Sequence, residues 1–246
     1  MQKLDGKRAF VTGASRGIGA AIARRLSDDG AAVAVGYEHS TDAARAVVDA
    51  ITDGGGRAVA VQMSADDPAS VRRAVDDAAE ALGGLDILVN NAGIFRSGSV
   101  EEMTLEDVDA TLNVNVRAVM LASQAALAHL PQGGRIISTG SNLATSVPGA
   151  GMSLYSASKA ALIGWTQGLA RDLGPRGITV NVVHPGSTDT DMNPADGPQA
   201  ADQLGRMAIP RYGTPEDVAA LVAFVAGPEA GSINGTGLTV DGGANA

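Results

Sequence analysis

Short apolar runs rich in β-branched residues alternate along this chain with longer alanine-rich stretches. Strands that are apolar throughout are buried on both faces, as in parallel sheets that helices cover on either side. The alternation therefore predicts an α/β domain built around a parallel sheet. The runs predicted as strands cover residues 8–12, 31–37, 57–63, 85–93, 134–141, 177–186 and 237–243.

The alanine-rich stretches have the periodicity of helices. Thr214, followed by Pro215 and two acidic residues, predicts a helix N-terminus, and either Ser40 or Thr41 is the expected cap of another helix. The stretches predicted as helices cover residues 16–30, 40–56, 68–82, 105–130, 153–173 and 214–227.

No linker rich in proline or serine interrupts this alternation, so a single domain is expected over residues 1–246. Residues 187–211 break the rhythm, because they are rich in proline, aspartate and alanine. We expect them to form a variable loop or a short helical lid over a binding site.

Composition argues against several classes of function. The chain has 246 residues and a net charge of −9 at pH 7, which disfavours non-specific binding to nucleic acid and docking to anionic membranes. Cysteine is absent, so neither disulfides nor thiolate catalysis is available. A glycine-rich stretch begins at Gly13, which leaves no room for a cleavable signal, and no apolar run approaches the ~20 residues of a membrane span. A cytoplasmic protein is therefore expected.

The stretch TGASRGIG (12–19) lies between the first predicted strand and the first predicted helix. Its glycines would let the backbone approach a pyrophosphate, which the unpaired N–H groups of the helix N-terminus would bind. The spacing is not G-x-G-x-x-G, and glycines in such a turn can also serve tight packing alone. Because the turn is the first of an α/β series, nucleotide binding is the favoured hypothesis.

The stretch SLYSASKAAL (153–162) places Tyr155 and Lys159 one helical turn apart, with only small residues between them. One interpretation is a solvated lysine beside a half-buried tyrosine. The other is a tuned proton donor, because a nearby ammonium stabilises the phenolate and lowers the tyrosine pKa from about 10. The small intervening side chains would let ligands lie against this helix.

Five motifs follow one another along the chain: T-G-x-x-x-G-I-G, NNAG (90–93), a serine after the fifth predicted strand, Y-x-x-x-K and PG (185–186). In this order and spacing the chain resembles the short-chain dehydrogenase/reductase family over essentially its whole length. The resemblance implies a Rossmann-type, doubly wound fold with a seven-stranded parallel sheet in the order 3-2-1-4-5-6-7. It also implies hydride transfer between a nicotinamide cofactor and a carbonyl or alcohol, with 3-oxoacyl reductase-like and small-ketone reductase branches both open.

The catalytic pattern of the family falls on four residues of this chain. Tyr155 would donate the proton, and Lys159 would tune the phenol and hydrogen-bond the nicotinamide ribose. Ser141 would hydrogen-bond the substrate oxygen. Asn115 matches the asparagine that holds a water on the proton route of the lysine, with Asn113 as the competing candidate.

The same motifs imply the cofactor contacts. These form the pyrophosphate turn, the adenine-ribose wall and the nicotinamide end, and they fall on Gly13, Ser15, Arg16, Gly17, Ile18, Gly19, Tyr37, Ser64, Ala65, Asn91, Ala92, Gly93, Tyr155, Lys159, Pro185, Gly186 and Thr188.

Two of these positions depart from the family pattern. Ser64 occupies the place of the aspartate that bonds the adenine amine, so the Ala65 backbone is an alternative contact. Tyr37 stands where NAD-preferring members carry an acid, and Arg16 offers a cation to a 2′-phosphate. NADP(H) is therefore the expected cofactor, and NAD(H) is a possible second one. The adjacent Glu38 would oppose NADP(H) only if its carboxylate turned inward, against the alternation of a strand.

A nucleotide-binding protein without turnover is the competing hypothesis. Residues 151–198 are similar to a bacterial branch linked to cyclic-di-GMP binding and biofilm dispersal. Retention of Ser141, Tyr155 and Lys159 favours an enzyme acting on a small-molecule carbonyl, because a binding protein has no need of all three.

The remaining signals concern metals and assembly. His39, His129 and His184 are scattered along the chain without the spacing of a metal site, so no metal is expected. The family resemblance and the long alanine-rich helices at 105–130 and 153–173 favour a homotetramer with two-fold axes. No nucleic-acid or membrane partner is expected.

Overall fold

Seven parallel strands form a single sheet within residues 3–246, the range that the computed structural model describes. Their spatial order is β3-β2-β1-β4-β5-β6-β7, so the doubly wound α/β fold and its strand order are confirmed. The strands are β1 (Arg8–Val11), β2 (Ala32–Tyr37), β3 (Ala58–Gln62), β4 (Ile87–Asn90), β5 (Arg135–Thr139), β6 (Thr179–Pro185) and β7 (Gly237–Val240).

Eight α-helices accompany the strands over the same range. They are α1 (Gly17–Asp28), α2 (Thr41–Asp53), α3 (Pro68–Leu82), α4 (Leu105–Leu112), α5 (Ala118–Ala126), α6 (Ser153–Leu173), α7 (Ala200–Leu204) and α8 (Pro215–Ala226). Helices α1, α2 and α8 pack on one face of the sheet, and α3, α5 and α6 pack on the other. Across residues 3–246, no helix combines the length and apolar character that a membrane crossing needs.

The sheet reverses its order at β1, which pairs with β2 on one side and with β4 on the other. In open α/β sheets such a reversal leaves a crevice outside the carboxyl ends of the strands. The segments that follow β1, β4, β5 and β6 therefore converge on one place, although the sequence separates them widely.

The helix predicted over residues 105–130 is interrupted. Residues Asn113–Arg117 form a π-helical turn between α4 and α5. Asn115 is fully buried in this turn, and its amide oxygen accepts from Ile94 N at 2.9 Å while its amide nitrogen donates to Ile94 O at 3.0 Å. A wide turn is a common device at functional sites, and the helical periodicity of the sequence does not reveal it.

Residues 187–211 form an ordered segment that contains the short helix α7 and is held by hydrogen bonds. Thr188 bridges to Gly213, and the Gln203 amide bonds the side chains of Ser187 and Asn193. The segment is therefore held against the end of β6, beside the crevice.

Candidate active site

A cavity of about 720 Å³ lies at the carboxyl ends of the strands, between the β1–α1 turn, the start of α6 and the segment after β6. Two predicted site residues, Ser64 and Asn115, are not part of its lining. The other predicted residues line it together: Gly13, Ser15, Arg16, Gly17, Ile18, Gly19, Tyr37, Ala65, Asn91, Ala92, Gly93, Ser141, Tyr155, Lys159, Pro185, Gly186 and Thr188.

The turn between β1 and α1 packs backbone against backbone. Gly13 has a φ of +62°, and a Cβ there would lie 2.8 Å from the Cα of Ala92. A Cβ on Gly19 would overlap the carbonyl oxygen of Gly13 and lie 2.5 Å from Asn91 Nδ2. Arg16, the N-cap of α1, has extended backbone and makes no side-chain bond to the helix. The N-terminus of α1 is thus open to an anionic group such as a pyrophosphate.

The side chain of Asn91 holds three strand ends together. Its Nδ2 donates to the carbonyl oxygens of Thr12 and Gly13, each at 3.1 Å, and its Oδ1 accepts from Thr139 Oγ1 at 3.3 Å. The backbone N–H groups of Asn91 and Ala92 both donate to Thr12 Oγ1, at 2.9 and 3.0 Å. The NNAG motif therefore fixes the shape of the glycine turn, besides contributing to the cavity wall.

Tyr155, Lys159 and Ser141 meet on one wall of the cavity. Lys159 is 5% exposed, and its Nζ donates to the carbonyl oxygen of Thr139 at 2.9 Å and lies 5.8 Å from the centre of the Tyr155 ring. Ser141 Oγ accepts from Leu143 N at 3.1 Å, and the Ser141 hydroxyl bonds the Tyr155 phenol. The arrangement offers hydroxyl donors beside a buried ammonium.

The pKa of Tyr155 corrects an expectation from the sequence. Burial raises the pKa of the phenol above its ordinary value, and the Ser141 hydroxyl offsets only part of that rise. Burial outweighs the stabilisation of the phenolate by the Lys159 ammonium, which itself donates to the Thr139 carbonyl. Burial lowers the pKa of Lys159 to about 8. The phenol therefore stays protonated at neutral pH, in the state that a proton donor needs.

Phe95 is a neighbour of the phenol that sequence reasoning missed. Its ring packs edge-on against the Tyr155 ring, with centroids 4.9 Å apart and an interplanar angle of 74°. Such edge-to-face pairs are favourable beyond the area they bury. Phe95 thus restrains the phenol and lines the cavity at the same time.

Asn115 lies behind the cavity wall and acts on the groups around Lys159. Its Nδ2 also donates to Ser158 Oγ at 3.0 Å, and Ser158 precedes Lys159 on α6. A Cβ on Gly93 would lie 3.3 Å from both Asn115 Oδ1 and Lys159 Nζ. Asn115 and the ammonium therefore flank the same glycine, which places the predicted asparagine next to the lysine but outside the cavity lining. Asn113, its competitor, lies in the same π-helical turn.

The end of β2 differs in detail from the expectation for the adenine pocket. Ser64 Oγ donates to Glu38 Oε1 at 2.8 Å and is also 2.7 Å from Asp66 Oδ1. Its hydroxyl is thus committed to carboxylates, while its neighbours Met63 and Ala65 line the cavity. Of the two alternatives for the adenine contact, Ser64 and the Ala65 backbone, only Ala65 lies in the cavity lining. Glu38 lines the cavity together with Tyr37, so the expectation that it points away was wrong, and Ser64 bonds its carboxylate there.

Arg16 meets a partner that no motif marks. Its Nη1 lies 3.2 Å from Asp191 Oδ2, and both side chains are more than 70% exposed. An ion pair so exposed contributes little to stability. Thr190 approaches the same turn, since a Cβ on Gly17 would lie 3.4 Å from its methyl group. Residues 187–211 thus touch the glycine turn across the mouth of the cavity.

We expect Gly19→Ala to lower the thermal unfolding midpoint and to abolish nucleotide binding. The added methyl overlaps Gly13 O, which is backbone and has no room to retreat, and overpacking of this kind costs about 1–3 kcal/mol. Gly231→Ala is the matched control, because Gly231 has helical backbone and the nearest atom to its Cβ would lie 3.6 Å away. Thermal melts and binding titrations of both variants check this, and equal melts would contradict it.

Comparison with known proteins agrees with this geometry. A family model described as enoyl-(acyl carrier protein) reductase matches residues 13–245. A short-chain dehydrogenase from Burkholderia cenocepacia J2315, solved in complex with NADP, is 72% identical with a TM-score of 0.98, and the match covers 99% of this chain and 100% of that one. A blue fluorescent protein from a metagenomic library, solved in complex with NADPH, is 54% identical with a TM-score of 0.98. The match covers 100% of this chain and 100% of that one.

A curated relative has a name that states a different role. The cyclic-di-GMP-binding biofilm dispersal mediator protein of Escherichia coli (strain K12) is 47% identical over 242 residues, which are 98% of this chain and 98% of that protein. The family model, the full-length identities and the shared strand order all agree with the motifs from which the sequence was first assigned. The chain is an oxidoreductase that belongs to the short-chain dehydrogenase/reductase family.

Proposed function

We propose that this protein is an NADP(H)-dependent carbonyl reductase, which transfers a hydride between the cofactor and a ketone or aldehyde, or works in reverse on a secondary alcohol. The observation that carries the proposal is the convergence of Ser141, Tyr155 and Lys159 on one cavity wall, beyond the glycine turn. A protein that only holds a nucleotide has no need of all three groups in one place.

The cavity fits a dinucleotide with a 2′-phosphate. The glycine turn and the open N-terminus of α1 suit a pyrophosphate. Tyr37 at the end of β2 does not repel a dianion, and Arg16 can pair with one. The Glu38 carboxylate next to Tyr37 is engaged by Ser64. Relatives solved with NADP and NADPH support the same choice here. When bound, the nicotinamide would supply or accept the hydride.

The residues of the wall divide the remaining work of the reduction. The Ser141 hydroxyl, which accepts from Leu143 N and bonds the Tyr155 phenol, would turn its hydrogen to the oxygen of a bound carbonyl. Tyr155 holds its proton at Oη through neutral pH and would release it to the developing alkoxide. Lys159 places a positive charge beside the phenol, which stabilises the phenolate left behind. Asn115 bonds both the Ile94 backbone and Ser158 of α6, and so holds these two segments together beside the ammonium.

The substrate end of the cavity favours a molecule with an apolar body. Phe95, Leu143 and Met192 contribute apolar surface to the lining. Phe95 and Met192 are large side chains that remain partly exposed, at 37% and 57%. We propose that residues 187–211, which carry Met192, act as the variable lid over this end.

Oxidation of NADPH in the presence of a panel of ketones, β-ketoesters and acyl thioesters tests the proposal. We expect turnover with at least one class of substrate. The loss of NADPH absorbance measures it. Acyl thioesters alone would assign the 3-oxoacyl branch, and small ketones alone the carbonyl reductase branch. No turnover across the panel, with NADPH demonstrably bound, would overturn the assignment as a carbonyl reductase.

Turnover in the reducing direction should fall as pH rises above about 8. Burial lowers the pKa of Lys159 to about 8, so the charged form that stabilises the phenolate dominates below that pH and is lost above it. A pH profile of kcat at saturating NADPH checks this. A profile flat from pH 7 to 10 would contradict a role for the ammonium.

Nucleotide binding without turnover is the second candidate function, favoured by the 47% identity to a cyclic-di-GMP-binding protein. Calorimetric titration with cyclic-di-GMP and with NADPH separates the two. Tight binding of cyclic-di-GMP by a protein that reduces no carbonyl would support this candidate. Turnover that cyclic-di-GMP leaves unchanged would reject it.

We also propose a homotetramer with two-fold axes. The α4–α5 unit presents Leu105 and Leu112 to solvent, at 75% and 40% exposure, and a two-fold-related subunit that packs on this unit would cover them. Light scattering at micromolar concentration should give four times the 24.6 kDa chain mass. A monomeric mass would exclude this assembly.

A further inference from the structure

His184 is a buried imidazole that none of the steps above uses. It is 3% exposed and lies near the carboxyl end of β6. Its Nδ1 lies 3.2 Å from Ser141 N and 2.9 Å from Ser141 O. A neutral ring satisfies one of these backbone groups in either tautomer, since a bare Nδ1 accepts from the N–H and a protonated Nδ1 donates to the carbonyl.

Two glycines make the space that the ring occupies. A Cβ on Gly140 would lie 2.5 Å from His184 Nδ1, and a Cβ on Gly237 would lie 2.7 Å from His184 Nε2. A side chain at either position, just after β5 or at the start of β7, would displace the imidazole. The ring is thus held between its neighbours with its Nδ1 directed at the backbone of Ser141.

We propose that His184 is a positioning residue, which holds the backbone of Ser141 and thereby aims the Ser141 hydroxyl at the substrate oxygen. This inference rests on the proposed reductase function, because the direction of that hydroxyl matters only to a bound carbonyl. The link is short, since the two backbone groups that meet Nδ1 flank the Cα from which Oγ projects. Misplacement of a reacting group by about 1 Å can cost a hundredfold in rate.

The contact depends on the charge of the ring. Burial lowers the pKa of His184, the backbone of Ser141 partly opposes this, and the positive charge of Lys159 lowers it further. On the facing elements, α6 brings Lys159 and Tyr155, whereas residues 138–144 and 237–240 carry no ionisable side chain. A charged ring carries a proton on Nδ1, so it donates to the Ser141 carbonyl and no longer accepts from the Ser141 N–H. As pH falls below the ordinary histidine value of about 6.5, the bond from the Ser141 N–H is therefore exchanged for the bond to the Ser141 carbonyl, and the aim of the Ser141 hydroxyl should shift with it.

Two substitutions separate hydrogen bonding from packing. His184→Asn puts an amide near the place of Nδ1, which can bond the same backbone but does not titrate, whereas His184→Leu fills the space without a polar group. We expect the leucine variant to lose about tenfold to a hundredfold in kcat, with the KM for NADPH within about twofold of the wild type. The asparagine variant should keep most of the wild-type kcat.

The acid side of the pH profile is the second readout. Tyr155 stays protonated at low pH, so it should not lower the rate of reduction there. A fall in the wild-type kcat on the acid side of the profile therefore reports His184. That fall should be absent in His184→Asn. Its persistence there would overturn the proposal, and so would equal kcat values in the wild type and both variants. If the leucine variant fails to fold, the profile of the asparagine variant alone decides.

The outcome can be separated from that of the reductase assignment. If the wild type turns over and Tyr155→Phe does not, an unaffected His184→Leu rejects the positioning role and leaves the reductase intact. If the wild type reduces no carbonyl, hydrogen exchange at the Ser141 amide decides instead. Exchange faster in the leucine variant than in the asparagine variant supports the positioning role, and equal rates reject it.

Discussion

Tyr155→Phe is expected to reduce the turnover of every accepted carbonyl by about a hundredfold or more, because it removes the proton donor alone. The phenylalanine keeps the ring, so the edge contact with Phe95 at 4.9 Å and the cover over Lys159 remain. NADPH affinity should therefore change little. Single-turnover rates and a fluorescence titration with NADPH measure the two quantities separately.

Tyr212→Phe is the matched control for this substitution. It also deletes a buried phenol hydroxyl, but Tyr212 does not contribute to the lining of the cavity. Its turnover should stay close to that of the wild type. A Tyr155→Phe enzyme that kept most of its rate with every substrate would contradict the assignment of Tyr155 as the donor.

Arg16→Ala is expected to weaken NADPH by about tenfold to a hundredfold and to leave NADH almost unchanged, as the loss of a charge-assisted pair requires. In the structure the guanidinium pairs with Asp191, in a contact so exposed that a 2′-phosphate can replace it. Tyr37 takes the last position of β2, and the Glu38 carboxylate that follows it is bonded by Ser64 rather than left to hold the ribose diol of NADH. Dissociation constants for both cofactors, measured at one ionic strength, test the prediction.

Two further variants control for charge. Arg24→Ala removes an exposed cation from the same helix, away from the cavity, and should affect neither cofactor. Asp191→Asn removes the competing carboxylate and should bind NADPH at least as tightly as the wild type. Equal losses for NADPH and NADH in Arg16→Ala, or a wild-type preference for NADH, would reject the role of Arg16.

Much of this protein could be predicted from its sequence, because the relevant signals are local. Apolar strands alternating with amphipathic helices require a covered parallel sheet, and the observed strand order matches the one implied by the motifs. The glycine turn is contained within eight residues, and the pair Tyr155–Lys159 within one helical turn. Local spacing was enough to find them, and nearly all of the residues they mark line one cavity.

Several properties depended on contacts between distant segments. Asn115, in the π-helical turn, is bonded to Ile94, which is 21 residues away. Ser64 was assigned to the adenine pocket by its place after β3, but the carboxylate of Glu38, 26 residues earlier, takes its hydroxyl. Asp191 meets Arg16 over a separation of 175 residues. No periodicity or motif encodes such pairings, because each arises where separate strand ends meet at the edge of the sheet.

The sequence by itself determined the fold, the family and the identity of the wall residues, since these follow from spacing along one chain segment at a time. Only the tertiary structure decided their electrostatics. The spacing of Tyr155 and Lys159 suggested a lowered phenol pKa, whereas burial raises it and lowers the pKa of the lysine to about 8. His184 looked like an isolated histidine until β5 and β6 brought it beside Ser141, 43 residues away. Desolvation and hydrogen bonding are properties of the packed interior, so they exist only once the strand ends have been assembled.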